Sequence, residues 1–185
     1  NAISIPLIEE FSKNKTTIIC GSTWPKDEAL LVKYIKENPN YNYIIAPHEL
    51  QHISALQKQT NALLFSKVDS TNISNSNVLI IDSIGILSNI YKYGNTAYIG
   101  GGFRGGIHNI LEAVAFGLPV VFGPNYQKSN EATELINQKG AISISNYKEL
   151  TPAINYFSTF NKSIAINYIK ENSGATTKIL ESTIA

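Results

Sequence analysis

The stretch AYIGGGFRGGIHNILEAVAF, residues 97–116, decides how the rest of the chain reads. An apolar run, Ala97–Ile99, passes into Gly-Gly-Gly-Phe-Arg-Gly-Gly-Ile-His-Asn at residues 100 to 109, then into a segment of helical spacing over Asn109–Phe116. A short aromatic and β-branched run that turns through glycines into a helix is a strand–loop–helix unit. Five glycines in seven positions leave peptide N–H groups uncovered just ahead of a helix start, where orphan N–H groups and the helix dipole already favour an anion. Phosphate is the guest this arrangement predicts. The plainer reading is that the glycines only permit positive φ and close strand–helix packing.

Outward from this unit the same alternation repeats. Buried strands are predicted at Thr17–Cys20, Tyr43–Ala46, Ala62–Phe65, Val78–Ile81, Ala97–Ile99, Val120–Phe122 and Ala141–Ile144. Helical spacing falls between them at Lys26–Glu37, His48–Gln59, Ile86–Tyr93, Asn109–Phe116 and Asn130–Gln138. Pro25 and Pro47 suit first-turn positions, and Gly117 before Pro119 suits a helix end. After Asn146 the pattern turns helical, with Pro152 early in a segment to Phe157 and further helices near Ser163–Glu171 and Thr176–Ser182. Strand–helix alternation predicts an α/β fold, a Rossmann-like parallel sheet with helices on both faces. Three segments are expected: a linker over 1–16, a nucleotide-binding domain over 17–150 and C-terminal helices over 151–185. In such a sheet, ligands sit beyond the carboxyl ends of the strands.

Composition narrows the function. The chain has 185 residues, 43% apolar, with 15 Lys and Arg against 14 Asp and Glu, a net charge of +1. No broad basic field exists to hold a nucleic acid. The lone Cys20 excludes an internal disulfide and a zinc knuckle built on cysteines. No run of 18 apolar residues and no signal-like start occurs. Methionine is absent, so the start at Asn1 suggests an excised domain, with Asn1-Ala2 left by cloning.

Gly100, Gly102 and Gly105 match G-x-G-x-x-G. The acidic residue a dinucleotide needs at the end of the next strand is missing, because Phe122 runs into Gly123-Pro124-Asn125 and no carboxylate follows until Glu131. No Gly-Lys-Ser/Thr marks a P-loop, and no G-x-S-x-G marks a nucleophile elbow. Arg104, the one arginine in the chain, lies inside the turn, where its planar fork matches a phosphate or carboxylate; a solvated loop residue is the alternative. Glu112 reads two ways, as the partner of an Asn109 cap or as an acceptor for ligand hydroxyls. His48-Glu49-Leu50-Gln51-His52 is a literal H-E-x-x-H, yet Pro47 would put it on a fraying first turn and no third zinc ligand is evident. Ser22 and Thr23 suit a cap for the following helix or hydroxyls aimed into the cleft.

Taken together, Gly21-Ser22-Thr23-Trp24-Pro25, Ala46-Pro47-His48, Asp82-Ser83-Ile84-Gly85, the glycine turn, His108-Asn109-Ile110-Leu111-Glu112-Ala113 and Phe116 to Pro124 resemble the C-terminal half of 3-deoxy-D-manno-octulosonic acid (Kdo) transferases. The likeness runs from about Cys20 to Leu150. It implies the GT-B architecture, two Rossmann-like domains across a cleft, and transfer of Kdo from CMP-Kdo to a lipid A precursor in lipopolysaccharide assembly. It also implies that Gly101, Gly102, Gly105, Gly106, His108 and Asn109 hold the donor phosphate, that Glu112 holds the ribose hydroxyls, and that His48, Ser83 and Gly85 stand near the nucleotide. Two departures stand out: Pro47 replaces the arginine of a Pro-Arg-His loop, with Arg104 a substitute, and Ile110 replaces a proline. No catalytic residue, cofactor or metal is expected here; no Asp-x-Asp occurs, which agrees with a monophosphate donor. The catalytic base, the acceptor and any membrane contact are expected in an absent N-terminal half, which makes this piece soluble and inactive alone and places the whole at the cytoplasmic face of the bacterial inner membrane. The alternatives are another GT-B enzyme or UDP-sugar epimerase, a nucleotide-binding module without chemistry, and an H-E-x-x-H zinc hydrolase.

Overall fold

The computed structural model describes residues 4–173. Strands β1 (Thr17–Thr23), β2 (Asn42–Pro47), β3 (Leu63–Leu64), β4 (Val78–Ile80), β5 (Thr96–Ile99), β6 (Val120–Phe122) and β7 (Ala141–Ser143) form one sheet in the order β3-β4-β2-β1-β5-β6-β7. Every neighbouring pair is parallel. The helices are α1 (Pro6–Ser12), α2 (Pro25–Glu37), α3 (Ile53–Thr60), α4 (Leu87–Ile90), α5 (Leu111–Val114), α6 (Asn130–Asn137), α7 (Tyr147–Tyr156) and α8 (Ser163–Ser173).

Alternate residues of each strand face opposite layers, so the sheet splits the core in two. Ile19, Ile44, Leu79, Ile99, Val120 and Phe122 pack with the α1, α4, α5, α6 and α8 layer. Ile18, Cys20, Tyr43, Ile45, Tyr98 and Val121 pack with α2, α3 and α7. Cys20 is fully buried and its thiol is pushed far up by desolvation, with Asp27 adding to the shift, so it serves as a small apolar group. The chain starts mid-sheet at β1, winds outward through β2 to β4, then returns to β5 on the other side of β1. The crevice at that reversal is flanked by the ends of β1 and β5.

Several boundaries differ from the sequence reading, each for a local reason. Within the segment expected as a linker, the described residues 4–16 include α1, which buries Ile8 and Phe11 in the core, and Ile5 donates its N–H to the Tyr93 hydroxyl at 2.7 Å. Pro47 closes β2 instead of opening a helix; a 3₁₀ turn over Leu50–His52 precedes α3. The helix expected over Asn109–Phe116 keeps only four residues, because Gly117 takes φ +77° and Pro119 follows. Helix α7 starts at Tyr147, capped by the Asn146 side chain on Lys148 N–H, and runs through Pro152, so the division at residue 150 falls inside a helix. The expected Thr176–Ser182 helix lies outside the described residues, as does Asn1-Ala2.

At the crevice, main chain meets main chain. A Cβ on Gly102 would lie 2.6 Å from Gly123 Cα and 2.7 Å from its carbonyl carbon and nitrogen, which nothing flexible relieves. A Cβ on Gly105 would meet nothing within 4 Å. Gly102→Ala is expected to cost about 1–3 kcal/mol, the range for overpacking a rigid site, while Gly105→Ala stays within about 0.5 kcal/mol of the parent. Urea unfolding of the two variants checks this: equal stabilities would show that the loops do not touch as described.

Candidate functional site

The site is built around a residue that the sequence reading did not single out. Pro25 fixes the first turn of α2, and Asp27, three residues after Trp24, is fully buried. Its Oδ2 accepts from the Trp24 N–H at 3.0 Å and the Gly101 N–H at 2.9 Å, and its Oδ1 accepts from the Tyr98 hydroxyl at 2.8 Å. Asp27 therefore closes the helix start, ties it to β5 and pins the first bend of the glycine turn. Ser22 and Thr23 do not cap α2. Thr23 Oγ1 donates instead to Glu28 Oε1 at 3.1 Å, and burial holds the Glu28 carboxyl above its ordinary range. Ser22 sits at φ +51° in the irregularity that ends β1.

The glycine turn is not a row of bare amides. Gly100 N–H reaches Gly21 O, Arg104 and Gly106 N–H reach Gly101 O, His108 N–H reaches Gly100 O, and Ile107 N–H reaches Asn125 O. Asn125 N–H in turn reaches Gly102 O, and its side chain donates to Arg104 O at 3.4 Å. Buried backbone groups must be paired, so the turn closes on itself and on the loop after β6. The N–H groups of Gly102, Phe103, Gly105, Asn109 and Ile110 have no partner among the described residues. With α5 only one turn long, these local N–H groups, more than a macrodipole, are what the turn offers to an anion.

Beside them lies an aromatic cluster. Trp24 Nε1–H donates to His108 Nε2 at 2.9 Å, and the two rings are nearly coplanar, 11° apart. His48 stacks on both, with centroids 4.4 Å from Trp24 and 4.5 Å from His108. The Arg104 guanidinium lies over the Trp24 ring at 3.8 Å, a cation–π contact. An indole N–H can only donate, so His108 Nε2 is the unprotonated nitrogen and Nδ1 carries the hydrogen of the neutral ring. Burial, and then the charge of His48, lower the His108 pKa from 6.5, with Asp27 opposing. At neutral pH His108 is a neutral ring that offers an N–H.

Asn109 and Glu112 combine the two readings made of them. Asn109 Oδ1 accepts from Leu111 N–H at 3.0 Å, and its amide donates to Glu112 Oε1 at 3.2 Å. Glu112 also lies near Tyr91, whose hydroxyl is pushed up by burial and then by the Glu112 charge; a Cβ on Gly21 would meet that hydroxyl at 2.2 Å.

The H-E-x-x-H segment is not helical where it matters. His48 follows β2, Glu49 is extended (φ −119°, ψ 129°), and His52 ends the 3₁₀ turn, so the two imidazoles do not share a helical face. Among the described residues no group of three His, Cys, Asp or Glu is placed to hold a metal ion. Ser83 and Gly85 stand further out, exposed on the turn after β4. Asp82 in that turn accepts from Ser66 N–H at 2.9 Å and from the Ser66 hydroxyl.

A depression of about 590 Å³ runs between the 104–108 and 125–129 loops, with Arg104, His108, Asn125, Gln127, Lys128 and Ser129 in its wall. A second, of about 340 Å³, adjoins it through Arg104 and includes Trp24, Asp27, Glu49 and Phe103. Sequence reasoning missed Trp24, Asp27 and Lys128 as site residues. For the first two the available signal was a Trp-Pro helix start with an acid at its third position.

No family model matches the chain. The 3-deoxy-D-manno-octulosonic acid transferase of Rickettsia bellii (strain RML369-C) is 30% identical over 175 residues, covering 90% of this chain and 42% of the relative. The chain thus spans about two fifths of the length of that relative. Among solved structures, the C-terminal CMP-Kdo binding domain of WaaA from Acinetobacter baumannii matches with a TM-score of 0.73 at 18% identity, covering 91% of this chain and 98% of that one. UDP-GlcNAc 2-epimerase from Neisseria meningitidis, bound to UDP-GlcNAc, matches with a TM-score of 0.55 at 15% identity, covering 97% of this chain and 47% of that one. The chain is thus similar to Kdo transferases, as its motifs implied, and its fold is the Rossmann-like C-terminal domain of GT-B glycosyltransferases.

The lowered pKa of His108 has a consequence for stability. The unfolded chain takes up this proton near pH 6.5, whereas the folded chain does so only at lower pH. The contribution is complete above pH 6.5 and declines as the pH falls below it, because the unfolded state then binds more protons. Imidazole NMR titration is expected to place the His108 midpoint below 6.5, and Trp24→Phe to move it upward, since a donor to Nε2 supports only the neutral ring. A midpoint at or above 6.5 in the parent chain contradicts the assignment.

Proposed function

We propose that this chain is the donor-binding part of an inverting glycosyltransferase that moves Kdo from CMP-Kdo to a lipid A precursor. The activity of the R. bellii relative and the CMP-Kdo binding of the A. baumannii domain support the donor. In this chain, the reading rests on the unpaired N–H groups of Asn109 and Ile110, set beside a His108 whose Nε2 is already occupied.

The donor phosphate lies against these two N–H groups with His108 Nδ1–H alongside. When the sugar–phosphate bond breaks, the bonding pair goes to the phosphate oxygen of the departing CMP. Dipoles fixed beforehand by the loop meet that growing charge without reorganising. Glu112 accepts from the ribose hydroxyls. The group that deprotonates the acceptor belongs to the remaining length of the relatives, as do the acceptor site and attachment at the cytoplasmic face of the inner membrane. Among the described residues no helix is long and apolar enough to cross a membrane.

Calorimetric titration of the chain with CMP and UMP tests this. CMP is expected to bind more tightly; tighter UMP binding would transfer the site to a uridine donor, as in the epimerase that shares the fold. Glu112→Ala is expected to weaken CMP binding by about 1–3 kcal/mol, the cost of leaving hydroxyl donors unpaired. Unchanged affinity in a folded variant removes Glu112 from the ribose.

A further inference from the structure

Arg104 and Lys128 stand in the wall of the 590 Å³ depression, and no Asp or Glu shares that wall. Neither cation forms an ion pair among the described residues. Both come from loops held in place: Asn125 bonds to Gly102 O, Ile107 N–H and Arg104 O, Gln127 Nε2 donates to Pro124 O at 2.9 Å, and Ser129 N–H reaches Tyr126 O. The nearest acid along the chain, Glu131, is tied through Ser129 Oγ to the start of α6 at 2.9 Å. By contrast, the neighbouring depression that Arg104 also borders contains Asp27 and Glu49 alongside Lys26. One side of Arg104 is thus acidic in part, and the other carries only positive charge.

We infer that the 590 Å³ depression is a subsite for the carboxylate of an acidic sugar, with Lys128 as its point charge and Arg104 as its planar fork. This rests on the donor reading above. The phosphate is served by the N–H groups of Asn109 and Ile110, and His108, the residue before Asn109, lies in the wall of the depression. A sugar attached to that phosphate extends past His108 into a space of ligand size. Arg104, held on the Trp24 ring, and Lys128 have no ion-pair partner among the described residues, and a second anion on the donor supplies one. A neutral sugar would leave them unmatched. Lys128 thereby becomes a determinant of donor specificity.

The test measures CMP and CMP-Kdo binding to the parent chain, Lys128→Ala and Lys128→Arg by calorimetry at low and high salt. Lys128 is exposed, and thermal unfolding of each variant checks that the fold is kept. The expected result is that Lys128→Ala leaves CMP affinity within about twofold. The extra affinity that the sugar confers falls by about tenfold or more, the scale of one charge-assisted hydrogen bond. Lys128→Arg is expected to retain most of that gain, and high salt to reduce it in the parent. An undiminished gain in Lys128→Ala overturns the subsite while leaving the donor reading intact. A tenfold loss of CMP affinity itself also overturns it, by making Lys128 a phosphate ligand. Absence of CMP binding to the parent chain instead defeats the donor reading on which the subsite rests.

Discussion

One buried carboxyl group organises the functional edge. Asp27 takes hydrogen bonds from the start of α2, from the Tyr98 hydroxyl on β5 and from Gly101 in the turn beyond β5. The Tyr98 and Gly101 donors are shut away from water, and leaving one unpaired would cost about 1–3 kcal/mol. The start of α2 lies more than 70 positions from Tyr98 and Gly101, so this single side chain helps to convert a flexible glycine run into a fixed one. With Gly101 pinned, Arg104 and Gly106 bond back to its carbonyl oxygen and His108 is set against Trp24.

The turn also shows why glycine content is a poor measure of anion-binding capacity. Folding requires nearly all buried N–H groups to be paired, and the turn obeys this by using most of them internally. What remains for a ligand is the set at Gly102, Phe103, Gly105, Asn109 and Ile110. The internal bonds are what give these few their value, because a donor that is already immobile loses no freedom when a ligand arrives. The Gly102–Gly123 approach serves the same end by letting the 125–129 loop lie directly on the turn.

The sheet was legible because strands buried on both faces must be continuous apolar runs; Val78–Ile80 and Val120–Phe122 are apolar at every position. Helix lengths were less so. Asn109–Phe116 has helical spacing, but Gly117 and Pro119 stop it early, and the apolar groups it offers are buried from a single turn. H-E-x-x-H was misleading for a related reason: periodicity ignores that Pro47 prolongs β2 and leaves His48 outside any helix. The true neighbours of His48 are the Trp24 and His108 rings it stacks on, and the hydrogen bond that sets those two side by side spans 84 residues and leaves no local trace. Arg104 was visible only because no other arginine competes with it. Lys128 resembled every other surface lysine until the fold placed it opposite.

Under the proposed donor reading, the division between neutral donors at the phosphate and cations further along acquires a kinetic meaning. In that proposed reaction charge grows on the phosphate oxygen as CMP departs, so N–H groups and a neutral imidazole aimed there interact more strongly with the transition state than with the bound donor. A carboxylate on the sugar keeps its charge throughout the reaction. Its partners therefore contribute about equally to ground state and transition state, which selects the donor and lowers KM without raising kcat. Keeping His108 uncharged fits the same logic. A permanent cation against the phosphate would tighten the bound donor and hold back the product, whereas a fixed dipole gives most of its stabilisation at the moment the bond breaks.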